Sequence, residues 1–170
     1  MSVITNTTVI SNFACIDQLE LLRQLYTPLY ISTEVFGEIQ DGLGEGYTFY
    51  AAIERLVYPL HQDGWLHLTG MSGDKELRIF SEMPPHLHAG ESSCIAVAQN
   101  RGWLFLSDDL AARKNAKQRN IRISGTIGCL VLAVEHKLCD IAVANELLQQ
   151  MVHQGFHSPV MDLIPLLRNR

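Results

Sequence analysis

Apolar and polar positions along this chain follow two periods, and the switches between them mark out strands and helices. Ser2 to Thr5 is short and β-branched-rich, a buried strand that runs into the polar turn Asn6-Thr7-Thr8. Thr7 or Thr8 is placed to cap the next helix; taken locally, Asn6 is a turn or cap residue. Phe13 to Tyr26 carries Leu19, Leu22 and Leu25 at helical spacing and stops at Pro28. Leu29 to Ile31 is a second strand. Ser32 or Thr33 then caps a helix over Thr33–Ile39, in which Val35 and Ile39 share a face and Glu38 adjoins it. The glycine-rich stretch 41–46, DGLGEG, predicts a loop. Tyr47 to Leu60 predicts a helix ended near Pro59, Trp65 to Leu68 a strand, and Met71 to Glu82 a helix broken by Pro84-Pro85.

The stretch from Gly90 to Gly128 is the most informative. Glu91 opens a helix whose Cys94, Ile95, Ala96, Val97 and Ala98 make it largely buried, and Gly102 ends it. Trp103-Leu104-Phe105-Leu106 is a continuous apolar run of the kind found in a central parallel strand. Ser107-Asp108-Asp109 follows at its carboxyl end. One aspartate caps the helix Leu110–Arg119, and capping does not need the second. Two adjacent carboxylates repel, and a cation relieves the repulsion. Ile121 to Ile123 is a short strand, and Ser124-Gly125-Thr126 turns into a buried helix through Val134. Two further helices, Ala142 to Gln154 and Pro159 to Arg168, carry no chemical motif and suit a sheet edge or an interface.

This alternation predicts a doubly wound α/β fold with a mostly parallel central sheet flanked by helices. With 170 residues the chain forms one domain, 1–170, including the closing helices over 142–168. Ligands in such sheets bind beyond the carboxyl ends of the strands. Asn6, Glu38, Glu91 and the Asp108/Asp109 pair come from separate segments that strand ends and helix starts can bring to one sheet edge.

Composition narrows the chemistry. Hydrophobic content of 47% and charged content of 18% exclude a disordered chain. No apolar run of about 18 residues occurs, so no membrane span is expected, and the N-terminus lacks the pattern of a signal peptide. Cys15, Cys94, Cys129 and Cys139 show no C-x-x-C spacing and sit among apolar residues, which predicts a reduced, cytoplasmic protein. A net charge of −5 argues against holding nucleic acid by bulk electrostatics. Any nucleic-acid contact then needs metal ions or a local basic patch. The densest basic cluster, Arg113, Lys114, Lys117 and Arg119, directly follows the aspartate pair. His86 and His88 form an H-x-H pair without a third ligand nearby and predict surface histidines.

The ordered segments VITNTTVISNF, YISTEVFGEI, AGESSCIAVAQNRG, FLSDDLAARKNAKQRNI and SGTIGCLVLAVEHKL cover most of the chain. In order and spacing they resemble the PIN domain, and in particular a branch of small stand-alone bacterial proteins. The resemblance implies a PIN-like α/β/α sandwich and a Mg²⁺- or Mn²⁺-dependent nuclease acting on RNA. It also implies a homodimer and, in many such proteins, a toxin role with a cognate antitoxin. Carried over by position, the catalytic acidic residues are Glu38, Glu91 and Asp109, with Asp108 adjacent. The metal ligands are Asn6, Glu38, Glu91 and Asp109. Thr7, Ser107, Arg113 and Lys117 become substrate contacts for single-stranded RNA. The departure is Asn6, where the family has aspartate: its amide oxygen can coordinate a hard cation but brings no charge. That change implies an alternative, a catalytically impaired protein that binds RNA or a protein partner.

Overall fold

A computed structural model describes residues 1–168; the last two residues of the expected 1–170 domain lie outside the described residues. In chain order the elements are β1 (Val3–Thr5), α1 (Thr7–Ala14), α2 (Leu19–Leu25), β2 (Leu29–Ser32), α3 (Thr33–Gly44) and α4 (Phe49–Glu54). Then come β3 (Val57–Tyr58), β4 (Leu66–Thr69), α5 (Gly73–Ser81), α6 (Ala89–Arg101), β5 (Leu104–Leu106) and α7 (Leu110–Gln118). β6 (Ile123–Ser124), α8 (Thr126–Glu135), α9 (Ile141–His153) and α10 (Ile164–Arg168) complete the described chain. The strands form one sheet in the order β3-β4-β2-β1-β5-β6, and every pairing is parallel. The α/β sandwich expected from the alternation is the fold observed.

The core explains why these segments take these forms. Ile4 and Phe105, paired in register on adjacent strands, are fully buried, as are Val9, Ile10 and Phe13 on α1. Helix α6 is buried along most of its length, from Ser92 to Ala98, so small side chains let it lie close on the sheet. It ends at Gly102, whose φ of 68° is the left-handed cap conformation that glycine adopts without strain.

Several boundaries differ from those expected. The helix placed over Phe13–Tyr26 is two helices, with a turn in which Asp17 has φ 56°. α1 begins at Thr7 because the Asn6 side chain caps it, and burial of Val9 and Ile10 outweighs the low helix propensity of that β-branched run. The stretch 41–46 is not all loop, since α3 continues to Gly44. A Cβ on Gly42 would overlap the Tyr50 ring, so this glycine serves close packing of α4 rather than a turn. The helix expected over Tyr47–Leu60 is only α4, and Val57-Tyr58 leaves it to become an edge strand beside β4. β6 is shifted to Ile123–Ser124 by its pairing with Phe105 and Leu106. The helix expected over Pro159–Arg168 shortens to α10. The preceding segment is held instead by side-chain bonds, with Leu163 N–H donating to Asn145 Oδ1 (3.0 Å). α9 and α10 both pack on α8.

One buried charge pair joins α5 to α6. Glu76 is fully buried, and its two carboxylate oxygens accept four hydrogen bonds. Arg101 Nε (2.7 Å) and Asn100 Nδ2 (3.0 Å) donate to Oε1, while Arg101 Nη2 (2.8 Å) and Ser72 N–H (2.7 Å) donate to Oε2. Burial alone would raise its pKa, but these donors hold it down at about 2. Removing Arg101 leaves a buried carboxylate short of its counter-charge, so Arg101→Met should lower unfolding free energy by about 3 kcal/mol in denaturant titrations. The depressed pKa fixes the acid limb. The stabilisation is complete above the ordinary glutamate value of about 4.3. It is lost as pH falls toward about 2, and Glu76→Gln should flatten that part of the stability–pH curve.

Candidate active site

From β1 the chain builds the sheet outward in both directions, to β2 on one side and β5 on the other. The crevice between the carboxyl ends of β1 and β5 is therefore the topological switch point, where open α/β sheets bind ligands. Asn6 and Ser107 face each other there. Both are buried, and Asn6 Nδ2 donates to Ser107 Oγ at 2.9 Å. Asn6 Oδ1 accepts from the Thr8 hydroxyl (2.7 Å) and the Thr8 N–H (3.3 Å), capping α1. Thr8 Oγ1 accepts from Asp108 N–H (2.9 Å), and Ser107 Oγ from Asp109 N–H (3.2 Å). The turn after β5 is thus laced to the turn after β1, with every hydrogen-bonding position of the Asn6 amide in use on one side or the other except one N–H.

Three carboxylates border this crevice with a common geometry. Glu38 Oε1 accepts from Gly90 N–H (2.9 Å), Glu91 Oε2 from His88 N–H (2.9 Å), and Asp109 Oδ1 from Ala112 N–H (2.7 Å). Each is anchored through one oxygen at the start of a helix, and among the described residues no hydrogen bond occupies the second oxygen. Gly90 permits the first contact, because a Cβ there would lie 2.5 Å from Glu38 Oε2. Burial raises the pKa of Glu38, and nearby Asp41 and Glu34 raise it further. Burial likewise raises Glu91, with the charges of Asp109 and Glu38 adding to the effect. Glu91 thus feels charges carried by two other segments, Glu38 on α3 and Asp109 at the start of α7. His88 is exposed, as expected, and stands at the N-cap of α6, where its charge favours both glutamates in their ionised form.

Asp108 behaves differently. Its Oδ1 accepts from Thr126 N–H (2.9 Å), and its Oδ2 from the Thr126 hydroxyl and Asn12 Nδ2 (3.0 Å). Both aspartates therefore cap helices, Asp109 its own α7 and Asp108 the facing α8, and the inference that a second carboxylate is not needed for capping does not hold. Arg113 Nη1 donates to the carbonyls of Ser107 (2.8 Å) and Ser124 (3.0 Å), which fixes the guanidinium beside the turn. Lys117 lies exposed on α7, two turns or about 12 Å along the axis from Asp109. Thr7 is half-buried in the first turn of α1. The sequence pattern marks Thr8 only as a candidate helix cap and carries no sign of Asn12 or Thr126, because the roles of all three depend on pairings 18 to 114 residues apart.

The donor chemistry of Glu38, Glu91 and Asp109 fits a hard divalent cation, which takes carboxylate oxygens and keeps waters. Their open oxygens and raised glutamate pKa values are what such an ion would relieve. Among the described residues, no three His, Cys, Asp or Glu side chains are close enough together to form a complete ligand set as they stand. The Asn6 oxygen already has two donors.

Comparison with known proteins decides the family. A family model described as a PIN domain matches residues 2–164. The chain belongs to the PIN domain family. Among solved structures, a PilT N-terminus domain protein from the archaeon Sulfolobus solfataricus is 16% identical, with a TM-score of 0.53 over 80% of this chain and 96% of that one. That likeness bears on the fold alone. A protein from Pyrobaculum aerophilum is 14% identical, with a TM-score of 0.45 over 74% of this chain and 91% of that one. No curated protein matches the chain. Among the described residues, no helix of this PIN domain is long and apolar enough to cross a membrane.

The raised carboxylates give a test of the acidic cluster. A native glutamate with a raised pKa holds its proton more tightly than in the unfolded chain, so stability falls as pH rises from about 4.3 into the raised folded range. Glu38→Gln and Glu91→Gln keep an oxygen for the Gly90 and His88 N–H groups. Both variants should melt at or above the wild-type temperature at pH 7, with the difference vanishing near pH 4. Added Mn²⁺ should raise the wild-type midpoint more than that of either variant.

Proposed function

We propose that this PIN domain is a metal-dependent endoribonuclease that hydrolyses phosphodiesters of single-stranded RNA. The carrying observation is the shared geometry of Glu38, Glu91 and Asp109. Each is anchored by a backbone N–H and leaves one oxygen open at the switch point. These three would hold Mg²⁺ or Mn²⁺. When bound, such an ion lowers the pKa of a coordinated water and offsets charge on the transferring phosphate.

The chain's own residues do the positioning. Asn6, Ser107 and Thr8 fix the turn that carries Asp109, and Asp108 locks that turn to α8. Arg113, tethered through Nη1, leaves the rest of its guanidinium for a phosphate oxygen. Thr7 in the first turn of α1 is a further phosphate contact, and Lys117 meets the strand farther along α7. A strand followed by its backbone and bases suits a chain whose net charge of −5 rules out broad electrostatic capture of a duplex. A toxin-like role, with a cognate antitoxin and a homodimer, extends this reading and rests on the resemblance of the sequence segments, while a cytoplasmic setting rests on the four free cysteines.

Asn6 favours a second reading, a catalytically impaired domain that binds RNA or a protein. Its amide is neutral and its oxygen already accepts two hydrogen bonds. Cleavage of a mixed single-stranded RNA pool in Mg²⁺ and in Mn²⁺ separates the two. Asp109→Asn keeps the helix cap, since asparagine caps as well as aspartate, while weakening a ligand. It should lower cleavage by more than about 100-fold, because loss of a supporting partner alone costs about 10–100-fold. Activity in the wild type, lost in Asp109→Asn, upholds the ribonuclease. An inert wild type made active by Asn6→Asp upholds the impaired domain instead.

A further inference from the structure

Beside the carboxylates the crevice widens into a cleft of about 810 Å³, within the range of small-ligand sites. Asp108, Asp109 and Arg113 stand at one side of it. The rest is mainly apolar and comes from three separate parts of the chain: Leu110 on α7, Ile127 on α8, and Phe156, Val160 and Leu166 from the C-terminal segment. Leu110 is 82% exposed, immediately after the Asp109 cap. Two lining glycines let its wall pack closely. A Cβ on Gly125 would lie 2.5 Å from Asp108 Oδ1 and 3.1 Å from Arg113 Nη1, and one on Gly128 would strike Ser124 Oγ.

We propose that this cleft is a base-binding subsite, which takes the unpaired nucleobase adjoining the scissile phosphate of single-stranded RNA. The proposal rests on the ribonuclease reading of the neighbouring carboxylates and names how that site selects its substrate. A nucleotide presents a flat apolar base on one side and an anionic phosphate on the other. The cleft offers both kinds of contact: apolar side chains with the Phe156 ring among them line it together with Arg113, Asp108 and Asp109. The Ser107 and Ser124 carbonyls hold Arg113 Nη1 in its wall. A phosphodiester leading from a base in the cleft toward the carboxylates passes this cation. A purely apolar protein segment would match the apolar walls but offer no acceptor to the Arg113 guanidinium. Stacking and apolar enclosure tolerate more than one base, so the subsite gives preference by size and stacking strength rather than by a full sequence code.

The test measures binding of the full chain to a short single-stranded oligoribonucleotide and to a series with an abasic site moved through each position. RNA cleavage is assayed in parallel. Wild type should bind about tenfold more weakly when one particular position is abasic, the size expected for one stacked base. Phe156→Ala should lose that discrimination. Leu110→Glu, at an exposed position that leaves folding undisturbed, should weaken binding of the intact oligonucleotide to the level of the abasic one. Discrimination without cleavage upholds the subsite and overturns the catalytic reading. Cleavage or binding with equal affinity for every abasic position overturns the subsite and leaves the ribonuclease standing. A wild type that neither cuts nor binds overturns both. If Leu110→Glu binds RNA as wild type does but shifts a dimer to a monomer in sedimentation, the cleft is an interface between copies and the subsite is overturned.

Discussion

The hydrogen bond from the Asn6 amide to Ser107 Oγ crosses the point where the sheet changes its direction of growth. β1 and β5 meet there in register, Thr5 opposite Leu106, and both strands then end in polar turns. Without a link between those turns the switch-point crevice would be two independent loop ends. An asparagine suits the link because it donates and accepts at once. Its NH₂ reaches across to Ser107 while its oxygen caps α1 through Thr8. Thr8 and Ser107 then bind the N–H groups of Asp108 and Asp109, so two hydrogen bonds of the same network define the turn that carries the acidic pair.

The same turns divide the carboxylates by environment. Asp108 meets three donors, one from Asn12 in the last turn of α1 and two from Thr126 at the start of α8, where its charge complements a helix terminus. Glu38, Glu91 and Asp109 each meet one backbone donor, and the two glutamates are half-buried close to other anions. One donor orients a carboxylate but does not offset burial and repulsion together, hence the raised pKa values. Glu76, also a glutamate and more deeply buried, shows the opposite outcome when four donors surround it, two of them from Arg101. The comparison separates a carboxylate used to hold the fold from carboxylates left with unused binding capacity.

Much of this was legible in the sequence because the fold is built from strongly patterned segments. The apolar run at Leu104–Leu106, the small-residue helix α6 and the Gly102 stop all announce themselves locally. The boundaries that differed were set by tertiary packing. Gly42 looks like a loop signal until Tyr50 is seen against it, and Val57-Tyr58 continues a helical pattern until β4 supplies a partner strand. The acidic candidates were visible as residue types at segment ends. What the sequence withheld was which oxygens are already occupied, since Asp108 and Asp109 are chemically identical neighbours that differ only in the donors folded around them. The apolar cleft was equally hidden, because its walls come from residues up to 56 positions apart, from Leu110 to Leu166.

Asn6 has a physical consequence whichever way the chemistry runs. A carboxylate at that buried position would add a charge to a crevice where Glu91 already feels Asp109 and Glu38. It would also have no proton to give Ser107, so the serine hydroxyl would have to turn and become the donor. With asparagine the crevice holds together through neutral hydrogen bonds and needs no ion to balance that position. The folded state then depends less on a cation, and the crevice offers a cation one negative charge fewer than an aspartate there would. Looser holding follows from the reduced charge, while the position of Asp109 does not, because the Ser107 and Thr8 links that set it are independent of the metal. Asn6 thus separates two properties that an aspartate would join, the order of the site and its affinity for the ion.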